Sequence, residues 1–166
     1  HQPNGAASAT TRNRIARVNS NGTLDNGFDP NANNSVYSIV VQTDGRVLLG
    51  GSFTTLQTNG APAAIERNRI ARVDSEGTLD IDFDPSAGSY VFGLAIQADG
   101  KVLVSGSFFS LSPNGSSGAF RNGLARLFND ATSQNLTIPD ASRIEWLRGG
   151  SSPELEQVTF DFSADN

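Results

Sequence analysis

Cysteine is absent from this chain, so there is no disulfide framework and no thiolate chemistry. Methionine is absent as well, so the chain is expected to be an internal piece of something longer or a processed product. The one histidine is His1, at the terminus. A Ser–His–carboxylate set and a histidine-based metal site are therefore not expected. Lys101 is the only lysine and the net charge is −5, with arginines dispersed along the chain. That balance argues against a phosphate-backbone partner, because nucleic-acid binders present clustered basic surface. No apolar run approaches the roughly 18 residues of a membrane span, and the N-terminus shows neither a basic nor an apolar signal region. No segment carries apolar residues at helical spacing over ten positions, so no substantial helix is expected.

Turn formers, in contrast, are plentiful: 17 glycines and 7 prolines among 166 residues. They punctuate an internal repeat. Arg12-Asn13-Arg14-Ile15-Ala16-Arg17-Val18 returns as Arg67-Asn68-Arg69-Ile70-Ala71-Arg72-Val73 and, altered, as Arg121-Asn122-Gly123-Leu124-Ala125-Arg126-Leu127, spaced 55 and then 54 residues apart. Gly22-Thr23-Leu24-Asp25 matches Gly77-Thr78-Leu79-Asp80, and Phe28-Asp29-Pro30 matches Phe83-Asp84-Pro85. Gln42-Thr43-Asp44-Gly45 matches Gln97-Ala98-Asp99-Gly100, and Gly51-Ser52-Phe53 matches Gly106-Ser107-Phe108.

Each copy reads as four short strands. Residues 36–42 and 91–97 are nearly continuously apolar, the pattern of a strand covered on both faces. Asp44-Gly45 and Asp99-Gly100 are hairpin turns. The returning strands, 46–53 and 101–108, contain Gly50-Gly51 and Ser105-Gly106, a sign of a bulge or close backbone approach. A four-stranded unit recurring at this period fits a β-propeller blade. The expected fold is all-β: blades of four antiparallel strands, with a β-sandwich as the competing arrangement. The array occupies residues 1–130, as a partial blade at 12–30, a full blade at 36–85 and a partial blade at 91–130. Since propellers close with about four to eight blades, the missing ones are expected from further blades of the same chain or from other copies of it. A C-terminal β-rich, partly sandwich-like segment is expected to start in residues 131–166, strand-rich from about Gln134 and cut just inside a hairpin turn at Ser163–Asn166.

The ordered motifs of residues 12–130 resemble the delta-60 repeat, a bacterial β-propeller repeat of unknown function found in large exported proteins. The tail, with Ile144-Glu145-Trp146-Leu147-Arg148-Gly149-Gly150, is similar to the β region that often follows such arrays. The resemblance implies an extracellular or cell-surface bacterial protein built of repeated modules, and no activity.

Candidate sites each have a plainer alternative. Asp74, Glu76, Asp80, Asp82 and Asp84 invite a calcium site, calcium being the only cofactor considered. An EF-hand loop is excluded, because Gly77 at its invariant glycine would put Arg72 and Phe83 at ligand positions. The alternative is turn formers bonding nearby backbone. Arg17, Arg72 and Arg126 read as a ring facing a ligand, or as structural ion pairs with a repeated carboxylate such as Asp29 or Asp84. The recurring aromatics Phe28 and Phe83, Phe53 and Phe108, Tyr37 and Phe92 are expected in the core, as is Trp146. Tyr90 and Phe109 fall outside the repeated pattern and are the candidate ligand contacts. Gly50-Gly51-Ser52 lacks phosphate-loop spacing. Glycosylation triplets at Asn21, Asn33, Asn114 and Asn135 follow from composition alone. The expected role is a non-catalytic structural or adhesive module, with extracellular glycan binding as the alternative. A carboxylate hydrolase is the third reading.

Overall fold

A computed structural model describes residues 9–140 and 142–155. It is all-β, and among the described residues the only helical pieces are two three-residue 3₁₀ turns, Thr58–Gly60 and Pro113–Gly115. His1 and residues 156–166, where the expected C-terminal hairpin turn falls, lie outside the described residues.

The first sheet is antiparallel, in the order β1 (Val36–Val41), β2 (Val47–Gly51), β5 (Ile70–Val73). Between β2 and β5 lies a small hairpin of β3 (Thr55–Leu56) and β4 (Ile65–Glu66). A fourth, outer strand is reduced to one bridge, Val73 to Leu79. The second copy repeats the plan with β6 (Val91–Ile96), β7 (Val102–Gly106) and β10 (Leu124–Leu127), plus β8 (Ser110–Leu111) and β9 (Ala119–Phe120). The first copy contributes only an outer pair, Val18 bridged to Leu24.

Turn chemistry fixes the hairpins. Gly45 adopts φ 82° and Gly100 φ 81°, left-handed backbone that glycine adopts without strain. Register slips between Val36 and Ser38, and again between Val91 and Gly93. Opposite these bulges Gly51 and Gly106 meet neighbouring backbone so closely that an added Cβ would lie 2.1 Å from the carbonyl oxygens of Ser35 and Tyr90. Glycine in this strand is thus a packing requirement.

The core is split into two apolar layers, one on each face of the first sheet. Val47, Leu49, Ala71 and Val73 pack on Ile15, Phe28 and Ala32 of the preceding copy. Leu48 and Ile70 point the other way, onto Val91, Val102, Val104 and Phe108 of the next copy. Sheets covered on both faces read as apolar runs, and β2 is buried throughout. The inner strand β1 departs from that expectation: its residues alternate between half-buried and exposed. Ile39 and Val41 face the layer formed by residues 15–32, an outer strand pair that does not reach the inner strand. Their counterparts Leu94 and Ile96 pack into the second layer.

The chain then forms a long hairpin of β11 (Thr132–Asp140) and β12 (Arg143–Gly150). It returns to the array: Thr43 N–H donates to Ser152 O at 3.0 Å, Asp44 N–H donates to Gly150 O at 3.2 Å, and Gln42 bridges Pro153. Ser151 and Ser152 are buried in this junction. Trp146 is half-buried beneath the Arg148 guanidinium, 5.0 Å from its ring centroid, rather than in a core.

Candidate functional site

The acidic stretch that suggested calcium is engaged by its own turn. Asp74 Oδ1 accepts from the N–H groups of Glu76 and Thr78 at 2.9 and 2.8 Å, and Asp80 Oδ1 accepts from Asp82 N–H at 3.1 Å. Side chains of this type close turns by bonding backbone two residues on. The other Asp80 oxygen faces Arg72, at 2.9 Å from Nε and 2.7 Å from Nη2. Asp74, Glu76, Asp80 and Asp82 do not converge: among the described residues no three His, Cys, Asp or Glu side chains form a group that could hold a metal ion.

The repeated arginine is a structural anchor with a different partner from the one expected. Arg17 Nε donates to Asp25 Oδ2 at 2.8 Å, and Arg72 makes the same pair with Asp80. Asp29 and Asp84 lie instead near Arg12 and Arg67, at 3.7 and 3.8 Å. The eight-residue spacing wins because the outer-strand bridge brings residues 25 and 80 back beside residues 17 and 72. Each guanidinium also covers an aromatic face, Arg17 over Phe28 at 4.4 Å and Arg72 over Phe83 at 4.6 Å. Arg72 reaches onward to Asp130 at 3.1 Å and to Asn129, joining successive copies. The Arg17 hydrogen bond, with a second from Gly27 N–H, holds the Asp25 carboxyl below its ordinary range. Lys101 does the same for Asp99.

Of the recurring aromatics, Phe28, Phe53, Phe83 and Phe108 are buried as expected. Tyr37 and Phe92 are not core; both are about half exposed. They are the extra residues at the two bulges, and a bulge re-aims the side chain it carries. Their rings lie 5.9 Å apart, and Tyr90 adds an edge-on contact to Phe92 at 6.5 Å. The structure therefore gathers Tyr90 into a row with Phe92 and Tyr37, two residues that sequence periodicity had assigned to the core. Phe109 is exposed and lies outside this row.

The ends of the stack carry the sharpest contrast. Ile70 is 0% exposed against the next sheet, whereas its counterpart Leu124 is 63% exposed. Val73 is 0% exposed against the preceding copy, whereas Val18 is 64% exposed. Blade faces buried inside the stack are thus bare at its two ends, as stacked radial sheets require.

A family model described as "Domain of unknown function (DUF5122) beta-propeller" matches residues 4–28, 42–83 and 97–132, more than half of the chain. The chain belongs to this DUF5122 beta-propeller family. No curated protein and no solved structure matches it at a significant level. In this DUF5122 chain the matched segments take in Arg17, Arg72 and Arg126 and the turns at Asp44-Gly45 and Asp99-Gly100.

One cavity of the family array stands out. A groove of about 350 Å³ opens on the outer side of β10, lined by Phe83, Leu111, Asn114, Arg121, Arg126 and Leu127. Sequence reading missed it, although the signal was present: the third copy lacks Gly-Thr-Leu-Asp after Phe128-Asn129-Asp130.

Proposed function

We propose that the chain is a non-catalytic structural module, a run of delta-60-type blades that completes its propeller against further copies of the same repeat. It would serve as a scaffold or adhesive segment within a larger exported bacterial protein, outside the cell or on its surface. The observation carrying this reading is the exposure of Leu124 and Val18 where Ile70 and Val73 are buried. One end presents a following-blade face and the other a preceding-blade face, so the contact is heterologous and propagates or closes by rotation. The engagement of the repeated carboxylates by arginine and turn backbone favours a scaffold over chemistry. Among the described residues no helix is long and apolar enough to cross a membrane.

The test is light scattering of the size-fractionated chain across a concentration series. Discrete assemblies that the Leu124→Asp variant dissolves support end-to-end stacking. A monomer at every concentration sinks it.

The exposed row of Tyr37, Phe92 and Tyr90 supports a second reading, stacking on the rings of an extracellular glycan. A glycan array separates the two. Binding lost in Phe92→Ala, with assembly intact, would favour a binding module.

A further inference from the structure

The groove beside β10 has an internal precedent. In the full blade the same position is filled. Leu79 is buried in the first apolar layer, Asp80 N–H donates to Arg72 O at 2.9 Å, and Asp74 N–H donates to Thr78 O at 2.9 Å. Asn59 Nδ2 donates to Glu76 O at 2.8 Å, and Arg67 Nη2 to Ile81 O at 2.9 Å. Gly77 passes so close that an added Cβ would lie 3.2 Å from the Phe28 ring. One repeat on, Arg126, Phe128, Asn114, Arg121 and Phe83 hold the corresponding positions, and all five line the groove. The outer edge of β10 is thus built for a strand that residues 128–140 do not supply, because after Leu127 the chain leaves for β11.

We infer that this groove is a strand-acceptor site, and that its occupant is the Gly22–Asp25 outer strand of a second copy of the chain. The chemistry of the occupant follows from the lining. A glycine passes Phe83, a leucine enters the apolar floor at Leu111 and Leu127, and an aspartate meets the Arg126 guanidinium. Its backbone carbonyls take the Asn114 amide and Arg121. Main-chain pairing gives affinity in such strand addition, and the alternate side chains give specificity. Gly22-Thr23-Leu24-Asp25 has that sequence, and it is the more loosely held of the two outer strands. The side chains of its ion pair, Arg17–Asp25, are 38% and 23% exposed, against 5% and 17% for Arg72–Asp80. This site uses an edge of β10, whereas the stacking proposed above uses its face, so either can fail alone.

The experiment is fluorescence anisotropy with a labelled synthetic peptide of residues 19–27, titrated with the intact chain. Saturable binding is expected, weakened roughly tenfold or more by Leu24→Asp in the peptide, through loss of a buried leucine. Asn114→Ala in the chain weakens it severalfold, and the backbone amide of Phe128, the counterpart of the Asp74 amide, gains hydrogen-exchange protection on binding. Leu124→Asp, which removes face stacking, leaves peptide binding in place. Absence of saturable binding at about 1 mM chain, or indifference to Leu24→Asp, overturns the inference. Binding that appears only after deletion of residues 156–166 also overturns it, by making the chain's own tail the occupant.

Discussion

Ile70 and Leu124 occupy the same position in successive copies, which makes truncating each to alanine a controlled comparison. Ile70 is 0% exposed and packs in the layer of Val91, Val102 and Phe108. Removing three carbons there loses transfer energy and leaves a cavity, about 3 kcal/mol within the usual range of roughly 2–5. For a chain of this length that lowers the melting temperature by about 6–12 °C. Leu124 is 63% exposed, so the same truncation costs the dilute, unassembled chain under about 0.5 kcal/mol. Its effect is displaced onto association. Covering a leucine at an end-to-end contact contributes about 1.5–3 kcal/mol, so Leu124→Ala weakens assembly about tenfold to a hundredfold. Circular-dichroism melts at low concentration read the first quantity, and light scattering across a concentration series reads the second. The reasoning is refuted if Leu124→Ala melts as early as Ile70→Ala when dilute, or if assembly is indifferent to it.

Gly51→Ala brings a methyl 2.1 Å from Ser35 O and should destabilise by several kcal/mol, whereas Gly60→Ala meets open space and costs only about 1 kcal/mol for its φ of 72°; paired urea melts compare them. Arg72→Ala strands the Asp80 carboxylate in a largely buried site and uncovers Phe83, so a loss of about 3–5 kcal/mol is expected, read by chemical denaturation. Asp25 has its folded pKa held below the ordinary 3.8, so its contribution is present above that value and lost as pH falls through the folded one. The melting difference between the native chain and Asp25→Asn should therefore be constant above about pH 5 and shrink below 3.8. Calcium and chelator should each leave the melting temperature unchanged, because Asp74 and Asp80 are engaged by backbone and arginine; a calcium-dependent rise would restore the metal reading.

The repeat itself was legible because its signals are local. Asp-Gly between apolar runs turns a chain wherever it occurs, and Asp44-Gly45 and Asp99-Gly100 do so here. The glycines at 51 and 106 recur because each lies against the bulge of its own inner strand, and the phenylalanines at 53 and 108 because each blade meets its neighbour in the same way. Recurrence identifies a shared environment without saying which environment it is, and that is where the sequence stopped. Tyr37 and Phe92 recur as faithfully as Phe53 and Phe108, yet a one-residue slip in register turns them out of the layer. Arg17 and Arg72 had carboxylates on offer at several spacings, and only the outer-strand bridge decided for Asp25 and Asp80. The same holds for the return of Ser151–Pro153 onto Gln42–Asp44 and for the groove beside β10. Strand, turn and period are set by backbone sterics and local burial, which the sequence by itself determined. Pairing register, ion-pair choice and exposed edges depend on distances between segments far apart in the chain, and those only the tertiary structure decided.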